Sequence, residues 1–469
     1  MNILTSTDIN EKTSYFDNEL RINDSFDMVR RDIIVCKRKC SFYFIDGLTK
    51  DEIMLRIMDL FMKLSALDEN ALSDLETFCN TYIPYVEVET VQEGEKLVSA
   101  VLSGMTAMVL DGVSGALLID CRTYPVRSIQ EPENDKVLRG ARVGFVETLV
   151  FNASLIRRHI RDKDLTMEMF SVGESSKTDV VMCYLNGRAD EKLLKSLRDK
   201  ISKIKTQALS LSSESLAECL IKKRWYNPFP KIRYTERPDA AAASVMEGSI
   251  IVLCDNSPSA MILPTSIFDF LQETDDYYFP PLTGTYLRLV RCSVFFMTMF
   301  ASPLWYLLIT HPQFIPEWLD FIKVSEHSSL PIILQLFLLE FAVDGLKLAA
   351  LNTPSVLAGS FSIIGGLILG DYAVKVGWFV PETILYTAFV SIANFAQPSY
   401  ELGYAFKFMR LILLALTALF ALWGFVFGVV LTLVLIATNK TVQGQISYLY
   451  PLIPFNAKAL GRLIFRRRA

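Results

Sequence analysis

Three ionisable residues stand where apolar side chains would be expected. Glu340, Asp344 and Lys347 interrupt the run Pro331–Leu351, PIILQLFLLEFAVDGLKLAAL. In a helix of 3.6 residues per turn, positions i, i+4 and i+7 stack on one face. A charge at the centre of a bilayer costs about 2.5 to 3.5 kcal/mol on insertion scales, whereas each Leu, Ile, Phe or Val beside it returns only about 0.3 to 0.6. Lys347, near the end of the run, can snorkel outward. The two acids still cancel most of the gain from their neighbours, so this helix must face protein or water. Two chemistries meet that demand: an internally paired Glu–Asp–Lys face that orients a bundle, or a polar face lining an ion path. In both, Lys347 partners the acids.

No other constellation competes with it. The chain has no G-x-x-x-x-G-K-[ST] phosphate loop, no G-x-G-x-x-G, no H-E-x-x-H and no G-x-S-x-G; Gly112-Val-Ser114-Gly115 is one residue short of the last and reads as a hairpin turn. His159 sits among arginines as a solvated surface residue. Eight cysteines are spread singly through apolar runs, apart from Cys36 and Cys40, and a zinc site would need a second pair. The sequence therefore points to no enzyme, no metal and no cofactor. A net charge of −4 without long charged runs before the end gives no reason to expect nucleic acid as a partner.

The elements that must position the charged face divide in two. Of 469 residues 51% are hydrophobic, and the apolar excess falls after residue 288. Five stretches there, Cys292–Thr310, Pro331–Leu351, Val356–Gly370, Phe379–Phe395 and Leu411–Ala437, approach or exceed the roughly 20 residues needed to span hydrocarbon. Before them, residues 1–30 form a polar arm without the basic and apolar regions of a secretory signal. Strands alternate with helices over residues 31–122 and again over 123–275. Strands are expected at Arg31–Cys36, Ser41–Ile45, Tyr85–Val91, Ala107–Leu110 and Ala116–Asp120, with a capping box at Thr49–Glu52 opening an amphipathic helix. The second set is a helix over Val143–Ile160, strands Leu165–Val172 and Val180–Leu185, and a hairpin of Ser249–Cys254 with Ala260–Leu263. The fold class is thus a soluble region of two mixed α/β subdomains, a linker at 276–288, an all-α polytopic membrane domain at 289–439 and a basic tail at 440–469.

Crossing number is the open question. Arg288 and Arg291 before the first span, and Arg466, Arg467 and Arg468 at the end, both argue for the cytoplasmic side. Five full crossings would separate them. Either Val356–Gly370, short and glycine-rich and followed by Asp371 and Lys375 as further polar candidates, is re-entrant or merely tightly packed, or Leu411–Ala437 folds into a hairpin at Gly424 or Gly428. Trp305, Trp318 and Trp378 fall where an aromatic belt is expected, and the tail suits either an interfacial amphipathic segment on the lipid bilayer or a solvated basic end.

Two long segments carry a family likeness. One is Arg139-Gly140 through Gly144-Phe-Val-Glu147-Thr-Leu149 to Leu155-Ile-Arg157-Arg158 and Asp162; the other is Phe229-Pro-Lys-Ile-Arg233-Tyr-Thr-Glu236-Arg237-Pro238-Asp239. With Pro398-Ser-Tyr400-Glu401-Leu402, they make the chain resemble the GerA family, which includes the A subunits of spore germinant receptors. Where those subunits show Leu-Pro-Lys-Pro and Gly-Ile-Val-Gly-Gly, this chain has Ala349-Ala-Leu-Asn-Thr-Pro-Ser355, then Ile363-Ile-Gly-Gly-Leu-Ile-Leu-Gly-Asp371 and Val376-Gly-Trp-Phe-Val-Pro-Glu382, a pattern that points to a different branch, whereas the Gly365-Gly366 pair is closer to the receptors. The resemblance implies a spore inner-membrane protein with its soluble part and tail facing the core. It also implies a homo-oligomer, a pentamer, conducting ions in germination with a small membrane partner protein or receptor subunits, and structural or assembly roles for the motif residues.

Overall fold

The computed structural model describes residues 3–64, 74–83, 85–124, 142–221, 225–273, 278–324, 328–352, 372–439, 441–442 and 447–465. Arg139, Gly140, Asp371, the stretch Val356–Gly370 and the terminal arginines lie outside them. The chain forms two compact units, Met1–Lys223 with Ile232–Pro264, and Arg224–Lys231 with Thr265–Ala469.

The first unit is a structural tandem. Its opening half runs α1 (Ile9–Glu19), β1 (Met28–Val35), β2 (Arg38–Ile45), α2 (Asp51–Leu64), α3 (Leu75–Tyr82), β3 (Val88–Val91), α4 (Gly94–Leu102), β4 (Thr106–Leu110) and β5 (Ala116–Ile119). The second half repeats that order with α5 (Leu149–His159), β6 (Leu165–Val172), β7 (Thr178–Leu185), α6 (Glu191–Ser202), α7 (Ser213–Leu220), β8 (Arg233–Thr235), α8 (Pro238–Met246), β9 (Ile250–Cys254) and β10 (Ala260–Leu263). The sheets are ordered β1-β2-β4-β5-β3 and β6-β7-β9-β10-β8, the same arrangement twice, and their ladders are antiparallel. Both α/β subdomains of the sequence reading are present, as helices packed on antiparallel sheets.

Detail repeats as well as order. An aspartate after each central strand accepts from the first amide of the opening helix, Asp111 from Ile9 at 3.3 Å and Asp255 from Leu149 at 3.2 Å, which satisfies an otherwise orphaned N–H. The next residue closes a bridge in each half, Gly112 to the Thr7 carbonyl and Asn256 to the Glu147 carbonyl, at 2.8 and 2.9 Å. Gly104 and Gly248 precede those strands at φ 99° and 98°, a conformation favouring glycine.

Three expectations are corrected here. Residues 1–30 are no polar arm: α1 places Ile9, Lys12, Thr13 and Phe16 on one buried face, and Phe16 joins the first core. The polar outer face of this helix dominated its composition. Thr49 does not cap α2; its hydroxyl donates to the Ile45 carbonyl at 3.1 Å, and the helix starts at Asp51. The stretch 281–288 is no linker, because the Pro280-Pro281 pair starts a helix at the position where a missing N–H costs nothing.

A buried ion pair rivets the two halves together. Arg157 of α5, fully buried, donates to both oxygens of Asp27 at 2.7 and 3.0 Å, and to Ser25 Oγ and the Leu165 carbonyl at 3.2 and 3.1 Å. Alongside it the Phe26 amide donates to the Met167 carbonyl at 3.0 Å, and Phe26 packs on the second core.

The second unit is helical: α9 (Pro281–Thr310), α10 (Ile332–Asn352), α11 (Pro381–Phe395), α12 (Tyr400–Ala437) and α13 (Ala457–Ile464), besides short turns. Of these, α9 and α12 are long and apolar enough to cross a membrane. The loop before β8, assigned from sequence to the second subdomain, belongs to this unit: Phe229 meets the Phe406 ring at 5.4 Å, and Asn227 donates to the Leu435 carbonyl at 3.0 Å. Trp305 is no belt residue. It is buried, stacked on Tyr386 at 4.6 Å, and its indole N–H donates to the Ile322 carbonyl at 3.0 Å. Trp318 and Trp378 are exposed.

Although the sequence of α12 reads as one long apolar helix, it is two helices joined at a bend, a hairpin. Ala421 has φ 49° and ψ −128°, outside the helical region. Residues 413 and 428 of a straight helix would stand about 22 Å apart, yet a Cβ on Gly428 would lie 2.5 Å from Leu413 Cδ1 and 3.3 Å from its Cα. At Gly424 a Cβ would come within 1.9 Å of the Leu416 carbonyl oxygen. The glycines are thus where the arms touch, and the bend is at Ala421.

Two outcomes follow. Gly424→Val should prevent the arms from closing and lower both yield and thermal midpoint in detergent, whereas Gly345→Val, with no atom near its Cβ position, should leave them unchanged. Arg157→Ala strands a buried carboxylate and should cost the soluble unit about 3 to 5 kcal/mol; Asp27→Asn with Arg157→Met should recover a measurable part of that loss in denaturant titration.

Candidate functional site

The charged face of α10 meets its complement on α12. Arg410 Nη2 lies 2.7 and 2.8 Å from the two oxygens of Glu340, and Arg410 Nη1 donates to the Thr298 carbonyl of α9 at 2.6 Å. Lys407, one turn away, places Nζ 2.5 Å from Asp344 Oδ1 and 3.3 Å from Glu340 Oε2. The two acids, at i and i+4, face two cations at i and i+3 on a helix running the other way, so the cluster is electrically neutral. Glu340 is 5% exposed and Arg410 2%, whereas the Asp344 side chain is 38% exposed. Neutralisation by direct pairing is what lets carboxylates persist among apolar side chains.

Lys347 corrects the sequence reading. It is not the partner of the acids, which Lys407 and Arg410 hold instead. Its ammonium instead lies 4.8 Å from the ring centre of Phe395, 5.5 Å from that of Tyr400 and 4.6 Å from that of Tyr404. Pro398 lies in the loop from α11 to α12, and Ser399 caps α12 by accepting from the Leu402 amide at 3.3 Å. That turn is what presents Tyr400 and Tyr404 to Lys347, while Glu401 stays exposed. Lys375 is exposed on a short helical turn, 5.9 Å from the Tyr372 ring; neither it nor Glu401 joins the cluster.

The soluble motif residues are structural in geometry. The Phe145 amide donates to the Glu236 carbonyl at 2.8 Å, which stitches the two family segments together, and the Glu147 carbonyl closes the bridge to Asn256. Arg237 is buried against Asp239, with Nε and Nη2 donating at 3.1 and 2.6 Å, and Pro238 opens α8. Arg233 lies in β8, and Arg158 covers the Tyr124 ring at 4.4 Å. Arg157 is the rivet described above. Among the described residues no three His, Cys, Asp or Glu side chains are grouped to hold a metal ion.

The sequence reading missed Lys407 and Arg410. Their signal lies in Leu402–Phe420, where two cations three residues apart precede a strongly apolar run; a span starting at Leu411 leaves out Arg410, immediately before it, and Lys407, four residues before it.

Residues 15–469 match the family model described as Bacillus/Clostridium GerA spore germination protein. The chain is 37% identical over 452 residues to stage V sporulation protein AF of Bacillus subtilis, covering 96% of this chain and 91% of that protein. It is 29% identical over 387 residues to spore germination protein KA of Bacillus subtilis, covering 82% and 70%. The N-terminal domain of the A subunit of the Bacillus megaterium spore germinant receptor GerK3 covers 56% of this chain and 96% of its own length at 24% identity, with a TM-score of 0.43.

Removing one partner of the buried pair should be worse than removing both. Arg410→Gln leaves Glu340 charged with only the longer Lys407 contact and should destabilise the helical unit by about 3 kcal/mol; the double change Glu340→Gln with Arg410→Gln should melt closer to the wild type in the same detergent.

Proposed function

The chain belongs to the GerA family of spore germination proteins, and from that premise we propose that it is one subunit of a homo-oligomeric cation channel in the spore inner membrane. Its membrane helices cross several times, five copies surround the path, and ions released through it promote germination. A small membrane protein and germinant receptor subunits are its partners. The observation that supports conduction is the division of labour between two acids one turn apart on α10. Glu340 is sealed by Arg410 within its own chain, whereas Asp344 keeps more than a third of its side chain open. The pore-facing role expected of both Glu340 and Asp344 therefore narrows to Asp344, and Glu340 holds the helix that carries it.

A second reading has an observation of its own. Because every carboxylate of the cluster has a cation within its own chain, the membrane half can serve as an anchor for a non-conducting platform that assembles receptor subunits. The likeness to spore germination protein KA suits a receptor A subunit in the same way.

Potassium-loaded liposomes separate these. The purified chain, alone and with its membrane partner, should release K⁺ down a gradient, and Asp344→Asn should slow release severalfold at equal incorporation, with Lys323→Gln as an exposed control. No release in either preparation would leave the platform reading standing.

A further inference from the structure

The surroundings of Lys347 carry a binding site. Three aromatic rings from two helices converge on one ammonium, with Phe395 ending α11 and Tyr400 and Tyr404 one turn apart at the start of α12. Each centre is within the roughly 6 Å over which a ring quadrupole attracts a cation. Carboxylates do not explain the position of Lys347: Asp344, one turn away, is held at 2.5 Å by Lys407. The rings also remain open to the outside, with Phe395 52%, Tyr400 58% and Tyr404 36% exposed. A lysine tail needs only one apolar surface to lie along; three ring faces turned to one point make a cage.

We propose that Phe395, Tyr400 and Tyr404 form a receptor for a free monovalent cation, and that Lys347 is its tethered occupant. The groups described around the ammonium are three ring faces. A cage of them therefore suits a weakly hydrated monovalent ion or an alkylammonium, and ring faces give a divalent ion nothing to replace its water. When α10 carries Lys347 away, the site opens to solution cations; when Lys347 is seated, its fixed charge excludes them. The cage lies at the end of the ladder formed by Lys347, Asp344 and Glu340 along α10. On the conducting reading, on which this role rests, it is a station an ion meets before Asp344, and Lys347 is a plug in it. Occupancy itself depends only on the rings.

The test is therefore a binding measurement on the full chain in nanodiscs, with tetramethylammonium as the probe. Lys347→Ala should show a saturable rise in thermal midpoint, with affinity roughly tenfold above the wild type. Lys347→Arg, which keeps the plug, should behave as the wild type, and Lys347→Ala with Tyr404→Leu should lose the response. A Lys347→Ala protein that elutes and melts as a folded particle but responds no more than the wild type would overturn the site. So would a response that survives loss of Tyr404. If the cage binds the probe and liposomes pass no K⁺, the site stands and the conducting role falls.

Discussion

The helical unit depends on the pairing of Glu340 with Arg410. A carboxylate buried there without a partner would drive α10 towards water. A guanidinium holding both its oxygens, and also the Thr298 carbonyl, fixes three helices at one level. A guanidinium can reach Glu340 through Nη2 and the Thr298 carbonyl through Nη1 at the same time, which a lysine ammonium does less readily, and Lys407 takes the more exposed acid. As the sequence rises from 340 through 344 to 347, the partner falls from 410 through 407 to 404 and 400. The two helices are held in antiparallel register by three successive contacts of different chemistry.

Much of this was legible in the residues, for reasons that can be named. Alternating patterns and turn pairs marked the soluble strands, and Leu165–Val172 was read with the bounds it has. The acids of α10 stood out because charge in an apolar run is costly. What could not be read was who pays that cost: Arg410 lies 70 positions from Glu340, and nothing local distinguishes a cation that will be buried from one at a helix boundary. The nearest cation in sequence, Lys347, was the natural partner on spacing alone. It is displaced because rings contributed by another segment offer it a different surface.

The repeat in the soluble unit escaped notice for a related reason. Few residue identities recur between its halves; hydrogen-bond positions do. Gly112 and Asn256 occupy the same corner with different side chains, at φ 76° and 60°, since either tolerates a left-handed backbone. Cores that need only apolar volume can change residue by residue, while a carbonyl that must be met by one amide cannot move. The rivet of Arg157 and Asp27 joins the halves asymmetrically, so the two copies are no longer interchangeable even where their folds coincide.

The bend at Ala421 has a geometric corollary. A hydropathy profile sees a 38-residue helix as one overlong rod, whereas the chain makes two arms of about 30 and 24 Å that start and finish side by side, with Ile436 packed in the same core as Leu402 and Phe406. Ser399 and Thr438 therefore lie at the same end of the hairpin, and the chain leaves this segment on the side where it entered.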